Sequence, residues 1–347
     1  MEDNHDQINR SYGIRLISLL SIAHAGIDFI CAFSLYHSFV AISQVFLLYN
    51  FCAFALQLPI GVIIDKCAER YKDRSYPALC FTLAGIILTC LGAYLSPLLT
   101  GLGNALFHSG GGILTINEDD DNGFKGRGLG VFVAPGALGL ILGSLYYGIK
   151  EYYIVLMLVQ IVLLICGLIL YRLRKHEYTD IILELPQGIL SKAAICFLVV
   201  VLRSLCGMAI IFPWKNSDLR IVVSVLALAL GKTAGGFLGA RFGLKKTIVV
   251  TLSLAALAYC FADNMVVGIL ALFLFNMTMP LTLYLLAREM KSTPGMVFGI
   301  LTFGLFIGYL PVLYGYIYKV PAFPLGSIAS LLSLILLLSH ERIADGK

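Results

Sequence analysis

His24 and Asp28 stand four positions apart inside the apolar stretch LISLLSIAHAGIDFICAFSLY (16–36). Asn104 and His108 repeat the same spacing inside PLLTGLGNALFHSGGGILTI (97–116), with Gly110, Gly111 and Gly112 directly after. Residues at i and i+4 share one helix face, so each pair points one way. An imidazole titrates near neutrality, and a carboxylate beside it is a second proton acceptor. The chemistry in reach is therefore proton uptake, release and relay. An ionisable group at the centre of a bilayer costs about 2.5 kcal/mol or more, which marks such residues as functional. Arg203 and Lys232 are the only charged residues deep within two further apolar runs, and Asn276 lies in another.

The elements that carry these residues follow from composition. Of 347 residues, 59% are hydrophobic and only 13% charged; mean hydropathy is +0.90. Soluble domains carry about 25% charged residues, so the chain reads as an integral membrane protein. Its apolar runs are about 20 residues long and lack period-two alternation, as expected of helices rather than a barrel. Twelve runs are read, at 14–36, 40–64, 76–95, 98–116, 127–149, 152–171, 189–213, 219–240, 247–262, 265–287, 295–318 and 321–339. They leave no room for a sizeable soluble domain. The polar N-terminus lacks a basic n-region, so the first run is expected to be retained. The nine cysteines show no CxxC pair, and neither a disulfide framework nor a zinc site is expected.

Charge sets the orientation. Nineteen Lys and Arg fall in the tails and connections on the side of the N-terminus; Lys150, Lys215, Arg220 and Lys319 fall opposite. Positive residues stay inside, which places both termini in the cytoplasm and explains the net charge of +5 without a nucleic-acid partner. The acidic turn NEDDDNGFKGR (117–127) is read as solvated, or as touching the basic connection 66–74.

The longest polar connection, near 172–188, divides six runs (1–171) from six (189–347). An offset of 175 relates the halves. It maps Gly61 onto Gly236, Asp28 onto Arg203 and Gln57 onto Lys232. Parallel repeats of this kind are a transporter architecture. The junction GVIIDKCAER carries Gly61, Asp65 and Arg70; its counterpart GFLGARFGLKK carries Gly236, Arg241 and Lys245, with Ala240 at the acidic position. These junctions, twelve spans and the central cytoplasmic connection resemble the major facilitator superfamily. Ala134-Pro135-Gly136, with Gly139, resembles the glycine-proline pattern on helix 5 of exchangers in that family. The segment GLGNALFHSGGG resembles helix 4 of bacterial fosmidomycin-resistance-type exporters.

The resemblance implies an all-α polytopic fold of two pseudo-symmetric six-helix bundles with both termini inside, in the plasma (inner) membrane. It also implies alternating access around a cavity lined by helices 1, 4, 7 and 10, a Gly61/Asp65/Arg70 latch at the cytoplasmic side, and a monomer. On that frame Asp28, with His24 and His108, is expected to couple transport to protons. Arg203 is expected to partner Asp28 or to anchor an anionic solute. Asn104, Asn276, Phe107 and Tyr284 are candidate solute contacts, and Gln57 and Lys232 candidate interdomain contacts. The leading expectation is proton-coupled efflux of an amphipathic small molecule by antiport, with uptake of an organic anion held by Arg203 as the alternative. A membrane-embedded metal-dependent enzyme finds no HExxH or GxSxG motif to support it. GKT at 231–233 lacks the earlier glycine of a phosphate loop, so neither nucleotide nor other cofactor is expected.

Overall fold

Proline and capping residues punctuate the apolar runs. Pro77, Pro97 and Pro294 each sit in the first turn of a helix, where the missing N–H is no loss. Ser96 accepts from Leu98 N (3.2 Å), and Asn264 accepts from Val266 N (3.0 Å) and Val267 N (3.3 Å), each satisfying exposed N–H groups at a helix start. In a computed structural model that describes residues 2–38, 43–145, 152–176 and 178–345, the chain is almost wholly helical. The run ends at 40–42 and 146–149, and the loop residues Lys150 and Lys347, lie outside the described residues.

The first half comprises α1 (Glu2–Phe33), α2 (Ser43–Asn50), α3 (Gln57–Tyr71), α4 (Tyr76–Leu95), α5 (Pro97–Asp121), α6 (Arg127–Val133), α7 (Pro135–Leu145) and α8 (Tyr152–Arg172). A π-helical turn, Phe51–Ala55, links α2 to α3. Pro135 separates α6 from α7, because it cannot donate into the helix ladder. The second half comprises α9 (Ile189–Ala209), α10 (Asp218–Phe242), α11 (Leu244–Tyr259), α12 (Met265–Asn276), α13 (Thr278–Ala287), α14 (Pro294–Leu313) and α15 (Ala322–Asp345). Two short strands, β1 (Ile210–Ile211) and β2 (Val320–Pro321), pair in parallel.

Among the described residues, ten helical segments are long and apolar enough to cross a membrane. Two of the twelve expected runs are not among them, and each has a physical reason. α5 is diluted by the glycines, Asn104 and His108 that give it its chemistry. α11 has only 16 residues, about 24 Å at 1.5 Å per residue. The α8 face carrying Ile154, Leu158, Ile161, Ile165 and Leu168 is exposed, as a lipid-facing surface requires.

The two halves meet through α3 against α14, α10 against α6, and α5 against α14. The polar connections at one end reinforce this. Lys291 Nζ reaches Asp120 Oδ1 (2.8 Å), and Arg74 Nη1 reaches Asp121 Oδ1 (2.6 Å). The acidic turn therefore touches the basic connection and also the second half. The connection between α8 and α9 ties to both halves. Thr179 N donates to Lys72 O (3.0 Å), and Ser292 Oγ donates to Glu184 O (3.1 Å).

Candidate functional site

The two i,i+4 pairs meet. His24 and Asp28 on α1 face Asn104 and His108 on α5, all four in the protein interior. Asn104 Nδ2 donates to Asp28 Oδ1 (3.1 Å) and to Cys31 Sγ (3.4 Å). His24 Nε2 lies 3.3 Å from Asp28 Oδ2, and His108 Nε2 lies 3.7 Å from Asp28 Oδ1. The two imidazoles meet edge to face, Nε2 to Nε2 at 2.8 Å. Each ring is held from behind: His24 Nδ1 is 2.7 Å from Phe132 O, and His108 Nδ1 is 2.9 Å from Asn104 O. Phe107 is fully buried, with its ring beside those of His24 and His108. It packs against the cluster.

The helix 5 segment closes over the same group. A Cβ on Gly136 would collide with His24 Nε2 and Asp28 Oδ2, and one on Gly139 with Ala25 O. Ala134 is buried beside them, and Pro135 breaks the helix at the cluster. The exchanger-like pattern is thus the wall of the His24–Asp28 site.

Across the interface the second half offers cations. Lys232 Nζ on α10 donates to Val133 O (3.1 Å) on α6. It lies within electrostatic reach of Asp28, His108 and Arg203. Arg203 on α9 is 93% buried, and among the described residues its Nη1 has no hydrogen-bond partner. The expected Asp28–Arg203 ion pair does not form; Asp28 is held by its own half instead. Asn276 spends its amide on Leu272 O (2.8 Å) where α12 breaks into α13. Tyr284 is not at the cluster. It stands at the loop end against Gly126, near Asp119 and Lys291. Gln57 Nε2 donates to Ala53 O in the π-helical turn just before α3, and its backbone carbonyl oxygen accepts from Ser109 Oγ (3.4 Å) on α5.

The junction motifs form a second site at the loop end. Asp65 is 4% exposed and accepts from Gly295 N and Met296 N, both at 2.8 Å, at the start of α14. A carboxylate there satisfies two exposed donors and the helix dipole. Gly61 and Gly295 touch backbone to backbone, so no Cβ fits at either. Gly236 likewise abuts Gly126 O and Arg127 at the start of α6. Where Asp65 plus 175 gives Ala240, Asp119 supplies the missing carboxylate from α5. It accepts from Gly126 N (2.6 Å) and Gly128 N (2.8 Å). Asp119 lies three residues past the apolar run 98–116. Burial pushes its carboxyl up to about 6, against the lowering effect of those N–H groups. Arg70 and Arg241 lie over their neighbours Tyr71 and Phe242 rather than across the interface. Lys245 lines a shallow groove with Phe242, Val249 and Arg288.

By sequence, no family model and no curated relative matches the chain. By structure it is similar to a major facilitator superfamily transporter, FucP, in the outward conformation. That match has a TM-score of 0.64 and 13% identity, covering 95% of this chain and 99% of the other. A variant of the E. coli fucose:proton symporter FucP matches with a TM-score of 0.62 and 14% identity, covering 96% and 98%. The chain therefore has the fold of major facilitator superfamily transporters.

Proposed function

We propose that this chain is a major facilitator superfamily member, a proton-coupled secondary transporter of a small solute that works by alternating access. One observation carries the reading: a buried His24–Asp28–His108 group in the first half has Lys232 of the second half within electrostatic reach, and Lys232 in turn is within reach of the buried Arg203. In a rocking mechanism that interface is where the solute sits. When the proton leaves the cluster, the charge of Asp28 is left without its counter-ion there and pulls on Lys232 across the interface, which links proton occupancy to the position of the halves.

Arg203 favours the organic-anion reading of the substrate. A desolvated guanidinium with an unused N–H is costly, and a solute carboxylate or phosphate satisfies it bidentately. The seating of Gly136 on His24 and Asp28 favours coupling by antiport, with export as the second reading. Twelve spans, both termini cytoplasmic and bundles at 1–171 and 189–347 agree with the order of the helices and the loop charges. The interlocked loop end is then cytoplasmic, and the described conformation faces outward. The machine works as a monomer and needs no cofactor.

The test is purified protein in liposomes with an internal pH dye, challenged with organic anions, neutral sugars and amphipathic cations. Anions should move protons, the sign of the pH change giving symport or antiport, and Arg203→Ala should lose that flux. If no solute drives proton movement, the reading fails.

A further inference from the structure

The hydrogen bonds behind the two imidazoles fix where a proton must lie. Phe132 O and Asn104 O are carbonyl oxygens, which only accept. Both Nδ1 atoms must therefore carry hydrogen. In neutral rings both Nε2 atoms are then bare lone pairs, yet they face each other at 2.8 Å. Two lone pairs repel at that distance; one proton between them makes an ordinary hydrogen bond. Placing the proton on Asp28 instead leaves the Nε2–Nε2 contact unrelieved, and its carboxylate oxygens stand farther away at 3.3 and 3.7 Å.

We infer that His24 and His108 share a single proton between their Nε2 atoms, while Asp28 stays ionised as its fixed counter-ion. This rests on the proton-coupled reading above and names the proton's seat within it. The loaded cluster is neutral: one imidazolium-imidazole pair against one carboxylate. The other groups around it agree with that assignment. Asn104 donates to Asp28 Oδ1, which favours the ionised carboxylate. Cys31 and Tyr49 lie within electrostatic reach of Asp28, as does Lys232 on α10. Gly136 closes the remaining side. Asp28 thus positions and balances the proton without holding it. A metal ion suits the geometry less well. Nitrogens on a tetrahedral ion at about 2.05 Å stand about 3.3 Å apart, against 2.8 Å here.

Infrared difference spectra of the wild-type protein in lipid, stepped from alkaline to acid, test this without any variant. Ring bands that shift on 15N-histidine labelling should change, with no carboxylic C=O band assignable to Asp28 through Asp28→Asn. One proton should be taken up at the cluster. His24→Gln should lose the shared-proton signature even though His108 remains. A carboxylic C=O band from Asp28 would overturn the inference while leaving solute-driven proton flux, and so the transporter reading, intact. Tight Co2+ binding with visible absorption, lost in His24→Gln, would also overturn it by placing a metal between the rings. Absence of any solute-driven proton flux would remove both.

Discussion

Replacing Asp65 with alanine should release the loop end. The carboxylate makes two charge-assisted hydrogen bonds, to Gly295 N and Met296 N at 2.8 Å each. Such bonds contribute about 1.5–3 kcal/mol apiece, and the dipole of α14 adds about 0.3–1 kcal/mol. When the halves separate, water takes over both donors and the carboxylate, so only part of this sum biases the conformation. A differential of about 2–4 kcal/mol is reasonable. At 1.4 kcal/mol per decade it shifts the closed-to-open ratio of this end by about 30- to 1,000-fold. Lys66 and Lys246 are exposed, lie near this end and belong to opposite halves, so spin labels there report the separation by double electron–electron resonance. Asp65→Ala should broaden and lengthen the distance distribution relative to Asp65 protein. An unchanged distribution would refute the latch, since the Gly61–Gly295 contact would then hold the end closed by packing alone.

Further outcomes follow from the same contacts. Gly136→Ala places a methyl on His24 and Asp28; it should abolish proton coupling while the protein still folds, as seen by gel filtration and flux assays together. The Asp119 carboxyl is pushed up to about 6 in the folded protein against an ordinary value near 3.8. The native state thus binds this proton more tightly than the unfolded chain, so its contribution to stability grows as pH falls from about 6 to about 4, by up to about 3 kcal/mol, and is flat above. Thermal melts of wild type and Asp119→Asn should therefore diverge in favour of wild type on acidification; parallel curves would count against it. By contrast the partly exposed Arg74–Asp121 pair should be worth under about 1 kcal/mol, and Asp121→Asn should shift the melting temperature only slightly.

Much of the site was legible as helix-face geometry. The pairs His24/Asp28 and Asn104/His108 converge because each pair shares one face and both helices cross in one bundle. The offset of 175 likewise brought Gly61 and Gly236 to equivalent crossings. Separations between bundles were not legible, because periodicity along one helix carries no information on how far away another lies. That is why Arg203 was matched to Asp28 while Lys232 makes the actual crossing. The position of Tyr284 along the helix axis, at the loop end against Gly126, was likewise not legible. Asp119 was hidden in an acidic turn, although a carboxylate seven and nine residues ahead of Gly126 and Gly128 was the available signal. The role of Gly136 needed the packing of α7 on α1, which only the fold provides.

The central claim is that the buried cluster links a proton to solute movement. Solute-dependent proton flux should be measured in liposomes under an imposed pH gradient, wild type beside Asp28→Asn. The account predicts proton movement only with solute in wild type, and solute movement without protons, or none at all, in the variant. Equal solute transport by both proteins with no proton flux would contradict it, leaving Asp28 as a structural residue.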